Sequence, residues 1–247
     1  MGNEAMHFSS SNLGIVILIA AIPSVCFPES HPSVLTRNNS RFDQAVTKAK
    51  KELVTALERE QLKIEKRDYK NAELYQSAKK LIKAEQTAFS SHGELPFSKN
   101  TRTATRRYLS SLRKANVALT NAYVLHQQQL FKAGKHDEAA SMIELREKRS
   151  TPRLVATWKS MSKNKETGQT WSLYDDLTAE VLTPENEKRH ATWNLSDSGL
   201  TLTTTWMDGR QTIDRWTLGP QGRRFVSKKG RQEIYRGERV SNTSTSD

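Results

Sequence analysis

The clearest candidate for binding chemistry is a stretch of chain that lacks acidic residues. Residues 95–136 contain no carboxylate but eight basic side chains. These are Lys99, Arg102, Arg106, Arg107, Arg113, Lys114, Lys132 and Lys135. On a helix, Arg102, Arg106 and Arg113 share a face, and Arg107 and Lys114 lie adjacent to it. They predict a stripe that binds a polyanion, with an affinity that falls steeply as salt rises. The alternative is an ordinary solvated helix face.

The five tryptophans form a second group of candidates. Trp171, Trp193 and Trp216 each begin a Trp-x-Leu pattern that runs into a turn, which is typical of strands in hairpins. Burial explains them well, because a buried tryptophan removes about 150–250 Å² from water, roughly 4–6 kcal/mol gross. Trp158 and Trp206 stand outside the repeated pattern. They are therefore the candidate ligand-binding residues, able to stack on a sugar or an apolar ligand.

Residues suited to catalysis are few. Asp175 and Asp176 are adjacent in a predicted turn, where carboxylates usually serve the turn itself. His190 lies on a predicted strand and His92 in a predicted loop. The sequence has no nucleophile, phosphate-loop or metal-ligand motif, and the single Cys26 can form neither an intrachain disulfide nor a thiolate metal site. We expect no enzymatic activity, cofactor or metal, with a cryptic hydrolase as the alternative.

Composition limits the class of protein. Of the 247 residues, 35% are apolar and 27% charged, which suits long solvated helices and a small core. The net charge is +12, and most of it belongs to residues 41–150, where 23 basic side chains face 13 acidic ones. Such a charge favours anionic partners, namely acidic polysaccharide, anionic lipid or nucleic acid. No specific nucleic-acid motif is present.

Residues 1–26 predict a signal peptide or apolar leader. The apolar run at 13–22 is too short to cross a membrane, which takes about 20 residues in helix. Small residues at Ser24 and Cys26 suit a cleavage site, although no Lys or Arg precedes the run. We therefore expect export to the periplasm or outside the cell, with no transmembrane span in the mature chain. A buried apolar segment and a lipid anchor at Cys26 are the alternatives, and the mass of the mature chain distinguishes them.

After a predicted linker at 27–40, residues 41–149 predict a helical region. Apolar positions recur there at steps of four and three, most clearly at Tyr108, Leu112, Ala115, Leu119, Ala122 and His126. Stop signals divide the region into four helices, which predicts two antiparallel hairpins packed as a bundle or an elongated coiled coil. Such a seam also makes self-association through the helices an expectation.

Beyond Pro152 the apolar period changes from 3.6 to 2, and residues 153–240 predict a β module. About eight strands are expected, near 153–159, 170–174, 178–183, 189–195, 200–206, 211–218, 223–227 and 232–240. Asp208-Gly209 is a strong hairpin signal. The predicted fold is α+β, with the helices followed by an antiparallel meander or a small barrel. Residues 241–247 should be a disordered tail.

The β module resembles a known type. The Trp-x-Leu turns, the Asp208-Gly209 hairpin and the closing sequence at 234–240 are similar to small lipocalin-like β modules. Such modules end exported bacterial proteins of uncharacterised function, after a signal peptide and a helical region. The resemblance covers roughly residues 155–240. It implies a calycin-type barrel or half-barrel and brings no assigned active residues.

Together these patterns favour an exported, non-enzymatic binding or interaction protein of the cell envelope. The helices would provide reach or self-association, and the β module recognition or stability. The main alternative is a polyanion-binding protein that uses the basic helix at 99–114.

Overall fold

The computed structural model describes residues 31–67, 72–162, 165–206, 208–229 and 232–240. Four helices come first, α1 (His31–Arg67), α2 (Ala72–His92), α3 (Arg102–Lys132) and α4 (His136–Arg149). Eight strands follow, β1 (Leu154–Ser162), β2 (Lys165–Tyr174), β3 (Thr178–Leu182), β4 (Lys188–Leu195), β5 (Gly199–Thr205), β6 (Gln211–Leu218), β7 (Arg224–Lys229) and β8 (Gln232–Val240). The predicted α+β fold is confirmed. The predicted leader at 1–26 and tail at 241–247 lie outside the described residues.

Helix α1 begins earlier than the sequence predicts. Residues 31–40, assigned to the linker, are helical. The asparagines and serine that end this segment have modest helix propensity, but a contact with α3 compensates. The Tyr123 hydroxyl donates a hydrogen bond to Asn39 Oδ1 (3.1 Å). Tertiary packing therefore overrides the local preference for a linker.

The other helices are arranged around α1. Helix α2 runs antiparallel to the second half of α1. There Glu65 of α1 accepts hydrogen bonds from Lys79 Nζ (2.9 Å) and the Tyr75 hydroxyl (3.2 Å) of α2. Helix α3 runs antiparallel to the rest of α1, and α4 packs on α3. The far end of α4 returns to α1, where Arg149 pairs with Asp43. The predicted hairpins thus form a bundle in which α1 contacts all three partners.

The strands form a closed antiparallel barrel. Each strand pairs with the next, and β1 pairs with β8 from Thr157–Val240 to Ser160–Gly237. Of the two predicted forms, meander or closed barrel, the barrel is the one observed. Closure satisfies the backbone of the first and last strands, which would otherwise be exposed sheet edges.

Aromatic side chains fill the barrel. Trp158, Trp171, Trp193, Trp216 and Phe225 are each at most 2% exposed. Trp171 meets the edge of Trp216 at 5.0 Å, and Trp216 stacks on Phe225 at 3.8 Å between ring centroids. Four of the five tryptophans are therefore core residues of the barrel. This interior continues into the core of the helical region.

Candidate functional site

The connection between α2 and α3, residues 93–101, enters the barrel, and we call it the plug. Its Phe97 is 0% exposed and lies among the barrel tryptophans. The ring centroid is 6.0 Å from that of Trp158 and 6.2 Å from that of Trp193. The guanidinium of Arg239 lies over the same ring at 5.1 Å. The helical region thus supplies one of the side chains that fill the barrel.

The backbone of the barrel is shaped to receive the plug. Lys99 N donates a hydrogen bond to Pro220 O (2.8 Å). Gly222 lies so close to the plug that a Cβ there would be 2.3 Å from the carbonyl carbon of Phe97. Its φ of +66° is also one that glycine adopts most readily. The turn between β6 and β7 therefore fits closely against the plug.

Glu85 on α2 holds the plug from the helical side. Its Oε1 accepts hydrogen bonds from the backbone N–H groups of Phe97 (3.0 Å) and Ser98 (2.8 Å). Its Oε2 accepts from the hydroxyls of Ser98 (2.8 Å) and Thr101 (3.2 Å). Burial raises the pKa of Glu85, although these hydrogen bonds and the charge of Arg239 act in the opposite direction. The carboxyl group of Glu85 thus accepts from two buried N–H groups that would bond to backbone carbonyls in a helix or a sheet.

Arg102, a member of the predicted polyanion stripe, fastens the helices to the barrel. It is 3% exposed. Its guanidinium donates to the backbone carbonyls of Phe97 (3.0 Å), Asp197 (2.9 Å), Leu218 (3.1 Å) and Gly219 (2.9 Å). Burial lowers the pKa of Arg102, while the nearby carboxylates of Glu85 and Asp197 partly offset this. This geometry directs Arg102 into the protein and away from any polyanion in solvent.

Arg106 also turns toward the barrel. Its Nη2 lies 2.6 Å from Asp197 Oδ1, in the turn between β4 and β5. The remaining three members of the stripe, Arg107, Arg113 and Lys114, are exposed. The structure therefore divides the predicted stripe into residues that join the two parts of the chain and residues that face solvent.

Arg107 lies in a groove between α1 and α3 with a volume of about 540 Å³. Three basic residues of α1, Lys48, Lys51 and Arg59, line the same groove. Sequence reasoning missed these three. They recur at helical spacing on the polar face of α1, but only the antiparallel packing of α1 on α3 places them beside Arg107. We call these four residues and the space between them the basic groove.

The two tryptophans predicted to bind ligand lie in separate places. Trp158 is 0% exposed inside the barrel. Trp206 is half-buried on the outside, where its Nε1 donates to Thr212 Oγ1 (3.2 Å) and the guanidinium of Arg189 lies 4.2 Å from its ring. The structure does not bring them together, so only Trp206 offers a surface that a ligand could reach without opening the barrel.

The residues weighed for catalysis serve turns or lie exposed. Asp175 Oδ1 accepts from Arg153 N (2.9 Å), and burial raises the pKa of Asp175. Asp176 Oδ1 accepts from both the backbone N–H (2.9 Å) and the hydroxyl (2.6 Å) of Thr178. His190 is exposed on β4. Within the described ranges, no group of three or more His, Cys, Asp and Glu residues is placed to hold a metal ion.

Tyr108 is buried beneath the basic groove, and its hydroxyl should lose its proton only at unusually high pH. Burial raises its pKa to about 12, and the charge of Asp175 adds to the effect. Because this folded-state pKa exceeds the unfolded value, stability should fall as pH rises through the range from about 10 to about 12. We expect Tyr108→Phe to reduce that alkaline loss by about 2–3 kcal/mol. Urea unfolding of both proteins at several alkaline pH values measures this loss of stability. The same pH profile in the variant and the wild type would mean that Tyr108 does not cause the loss.

Comparisons with protein-family models, curated proteins and solved structures find no match to this chain. In the part of the chain that the structure describes, no helix is long and apolar enough to cross a membrane. The features of this chain that bear on function are the plugged barrel and the charged surfaces of the helices.

Proposed function

We propose that this protein is an exported, non-enzymatic binding protein of the cell envelope. In this proposal the helical region carries the binding surface, and the barrel is a solid support to which that surface is fixed. The observation that carries the proposal is the filled barrel, whose interior holds six large aromatic rings. They are Phe97, Trp158, Trp171, Trp193, Trp216 and Phe225.

A lipocalin-like protein that carries a small molecule needs an open cavity within its barrel. An eight-stranded barrel has an interior that side chains can just fill, and here tryptophans and the plug occupy it. Two grooves border the helices instead. One of about 540 Å³ lies between α1 and α3, and another of about 700 Å³ follows α1 from Thr36 to Lys51. The space available for a partner thus favours the helical region.

The envelope location is supported by sequence features outside the described residues. The apolar run at 13–22 and the small residues before residue 27 suit a cleaved leader. The closed barrel after a helical region also agrees with the resemblance to exported proteins that carry lipocalin-like modules. Export of this chain and binding through its helical region are both part of the proposal.

Two measurements test the proposal. The purified mature chain should co-sediment with isolated envelope fragments, and proteins of unrelated fold but equal net charge serve as controls. Tryptophan emission should not change when fatty acids or neutral oligosaccharides are added, because the barrel is filled. Failure to sediment with any envelope fraction would remove the proposed function.

The Trp206→Ala variant shows where any ligand binds if the emission does respond. A saturable change that persists in this variant would place the ligand inside the barrel and contradict its supporting role. A change that the variant abolishes would instead place a site at the exterior, where Trp206 stacks on Arg189. Circular dichroism of the variant confirms that its fold is retained.

Polyanion binding is the second candidate function, and a specific observation favours it. Arg107, Arg113 and Lys114 of the predicted stripe remain exposed on α3. Charges that the fold does not neutralise remain available to an anionic partner. Lys99, which precedes α3, is exposed as well, although its backbone N–H is bonded to the barrel.

A further inference from the structure

The basic groove combines four cations from two helices. Lys48, Lys51 and Arg59 on α1 face Arg107 on α3 across the groove. Lys48 and Arg59 are separated by about 16 Å along α1, at about 1.5 Å per residue. A partner would therefore meet positive charge over an extended path and from two sides, as a linear chain can and a small anion cannot.

These four charges are not used by the fold. All four side chains are exposed, and none of them forms an ion pair within the described ranges. Two nearby arginines on α3, Arg102 and the adjacent Arg106, are both engaged by the barrel. The fold thus uses the cations that face the barrel and leaves those of the groove free for a ligand.

The walls of the groove favour one class of polyanion. The only aromatic residue that lines it, Tyr108, is 7% exposed, so no ring is presented for nucleobases to stack on. Leu53, its largest aliphatic residue, is 2% exposed, so nothing is offered for insertion into a lipid layer. Thr55 and Glu52 add a hydroxyl and a carboxylate that can bond to sugar hydroxyls.

We infer that the basic groove binds a segment of a linear acidic glycan. The anionic groups of the glycan pair with Lys48, Lys51, Arg59 and Arg107, and its hydroxyls bond to Thr55 and Glu52. This inference rests on the proposed function, because it names the partner class of the helical binding surface. Each ion pair is exposed to solvent, so affinity comes from several weak contacts and falls with salt.

A pair of charge-matched variants tests the site. The groove variant is Lys48→Gln/Lys51→Gln/Arg107→Gln. The control variant is Lys50→Gln/Lys66→Gln/Lys132→Gln, which changes exposed residues on the same two helices that neither line the basic groove nor belong to the predicted stripe. Each removes three of the charges that make up the net +12. Thermal melting of both variants checks that the fold is kept.

Heparin hexasaccharide and a polygalacturonate oligomer are the probes, the first sulfated and the second carboxylated. We expect the groove variant to bind about tenfold to a hundredfold more weakly than the wild type, as for three lost exposed charge pairs. The slope of log affinity against log salt should fall by about one for each cation removed. The control variant should bind within about threefold of the wild type, since surface changes remote from a site have small effects.

Other results overturn the inference in separate ways. Equal losses in both variants would mean that net charge alone attracts the glycan, and a loss confined to the control would place the site elsewhere on α1 or α3. Tighter binding of duplex DNA or anionic vesicles through the groove residues would mean that the partner class is wrong. If neither oligosaccharide binds, the inference fails, whereas the proposed function is decided separately by co-sedimentation with envelope fragments.

Discussion

Phe97→Ala is expected to lower the free energy of unfolding by about 3–5 kcal/mol, the usual cost of removing a fully buried phenylalanine ring. The ring is 0% exposed and contacts Trp158 and Trp193. Neighbouring side chains cannot collapse into the space of the ring, because Trp158 on β1 and Trp193 on β4 are held in place by strand pairing. The variant should therefore contain a cavity and hold the plug less firmly.

Urea unfolding, followed by tryptophan emission and by circular dichroism, measures this loss. Phe131→Ala is the matched control, since Phe131 is 46% exposed near the end of α3. It should change stability by no more than about 0.5 kcal/mol. If Phe97→Ala does not fold, Phe97→Leu keeps most of the apolar volume and should lose about 1–2 kcal/mol. Losses equal to that of the Phe131 control would show that Phe97 does not fill the barrel.

The loss of Phe97 should also open the barrel interior. Acrylamide should quench the emission of the buried tryptophans more strongly in Phe97→Ala than in the wild type, at urea concentrations where both remain folded. This readout separates loss of the plug from general destabilisation. Equal quenching of the two proteins would mean that the plug does not control access to the barrel.

Local patterns predicted the strands, but they could not predict whether the strands form an open meander or close into a barrel. In β5 the alternation of Leu200 and Leu202 with threonines is a local property, and the structure buries both leucines. Pairing of β1 with β8 instead joins residues 157–160 to residues 237–240, with most of the module between them. Nothing local encodes that contact, because it depends on the accumulated twist of the strands.

The sequence pattern did not predict the plug, because the stop signals between α2 and α3 indicate only where a helix ends. Residues 90–100 contain Gly93 and Pro96, which correctly predict that α2 stops. The same stretch contains Leu95 and Phe97, and each is 0% exposed. Two large apolar residues in a short connection need a core to enter, and this was the available signal. Its target, the barrel mouth, could be identified only once the barrel was known.

The assignment of Arg102 to the polyanion stripe failed for a related reason. Helical periodicity correctly places Arg102, Arg106 and Arg113 on one side of α3. It cannot say which part of that side is covered by another element. The barrel end covers the first turn of α3 and contributes carbonyls of residues 218 and 219 as acceptors for Arg102. Charge patterns give the location of cations along a helix, whereas packing decides whether a cation bonds within the protein or faces solvent.

Glu85→Ala is expected to lower the free energy of unfolding by about 2–6 kcal/mol. The variant removes the acceptor of two buried backbone N–H groups, those of Phe97 and Ser98, and each orphaned donor costs about 1–3 kcal/mol. The hydroxyls of Ser98 and Thr101 suffer less, because they already lie 2.9 Å apart and can bond to each other. Glu58→Ala, at an exposed position of α1, is the control and should have little effect.

Glu85→Gln should be tolerated far better than Glu85→Ala. Both N–H donors bond to the same oxygen, Oε1, and the glutamine carbonyl can take its place. The other oxygen contacts only the hydroxyls of Ser98 and Thr101, which can accept a hydrogen bond as well as donate one. The glutamine amide can therefore donate to them, as a protonated Glu85 would. We expect a loss of no more than about 1 kcal/mol, the net value of one hydrogen bond.

The same comparison gives a pH dependence with a defined sign. Burial raises the pKa of Glu85 in the folded state above its unfolded value, so the folded protein takes up a proton first as pH falls. Relative to Glu85→Gln, the wild type should therefore lose stability as pH rises through that raised pKa, and it should regain it in acid. The charge of Arg239 acts on Glu85 in the wild type alone and opposes the effect of burial, so it reduces the size of this pH dependence.

Unfolding free energies of the wild type and Glu85→Gln, measured in urea from mildly acidic to neutral pH, test this expectation. The difference between the two should change with pH in the stated direction and level off on either side of the transition. A difference that changes in the opposite direction would mean that the hydrogen bonds and Arg239 outweigh burial and hold Glu85 ionised. In that case Glu85→Gln should also lose stability at neutral pH, because the plug would then depend on the charge of Glu85 as well as on its shape.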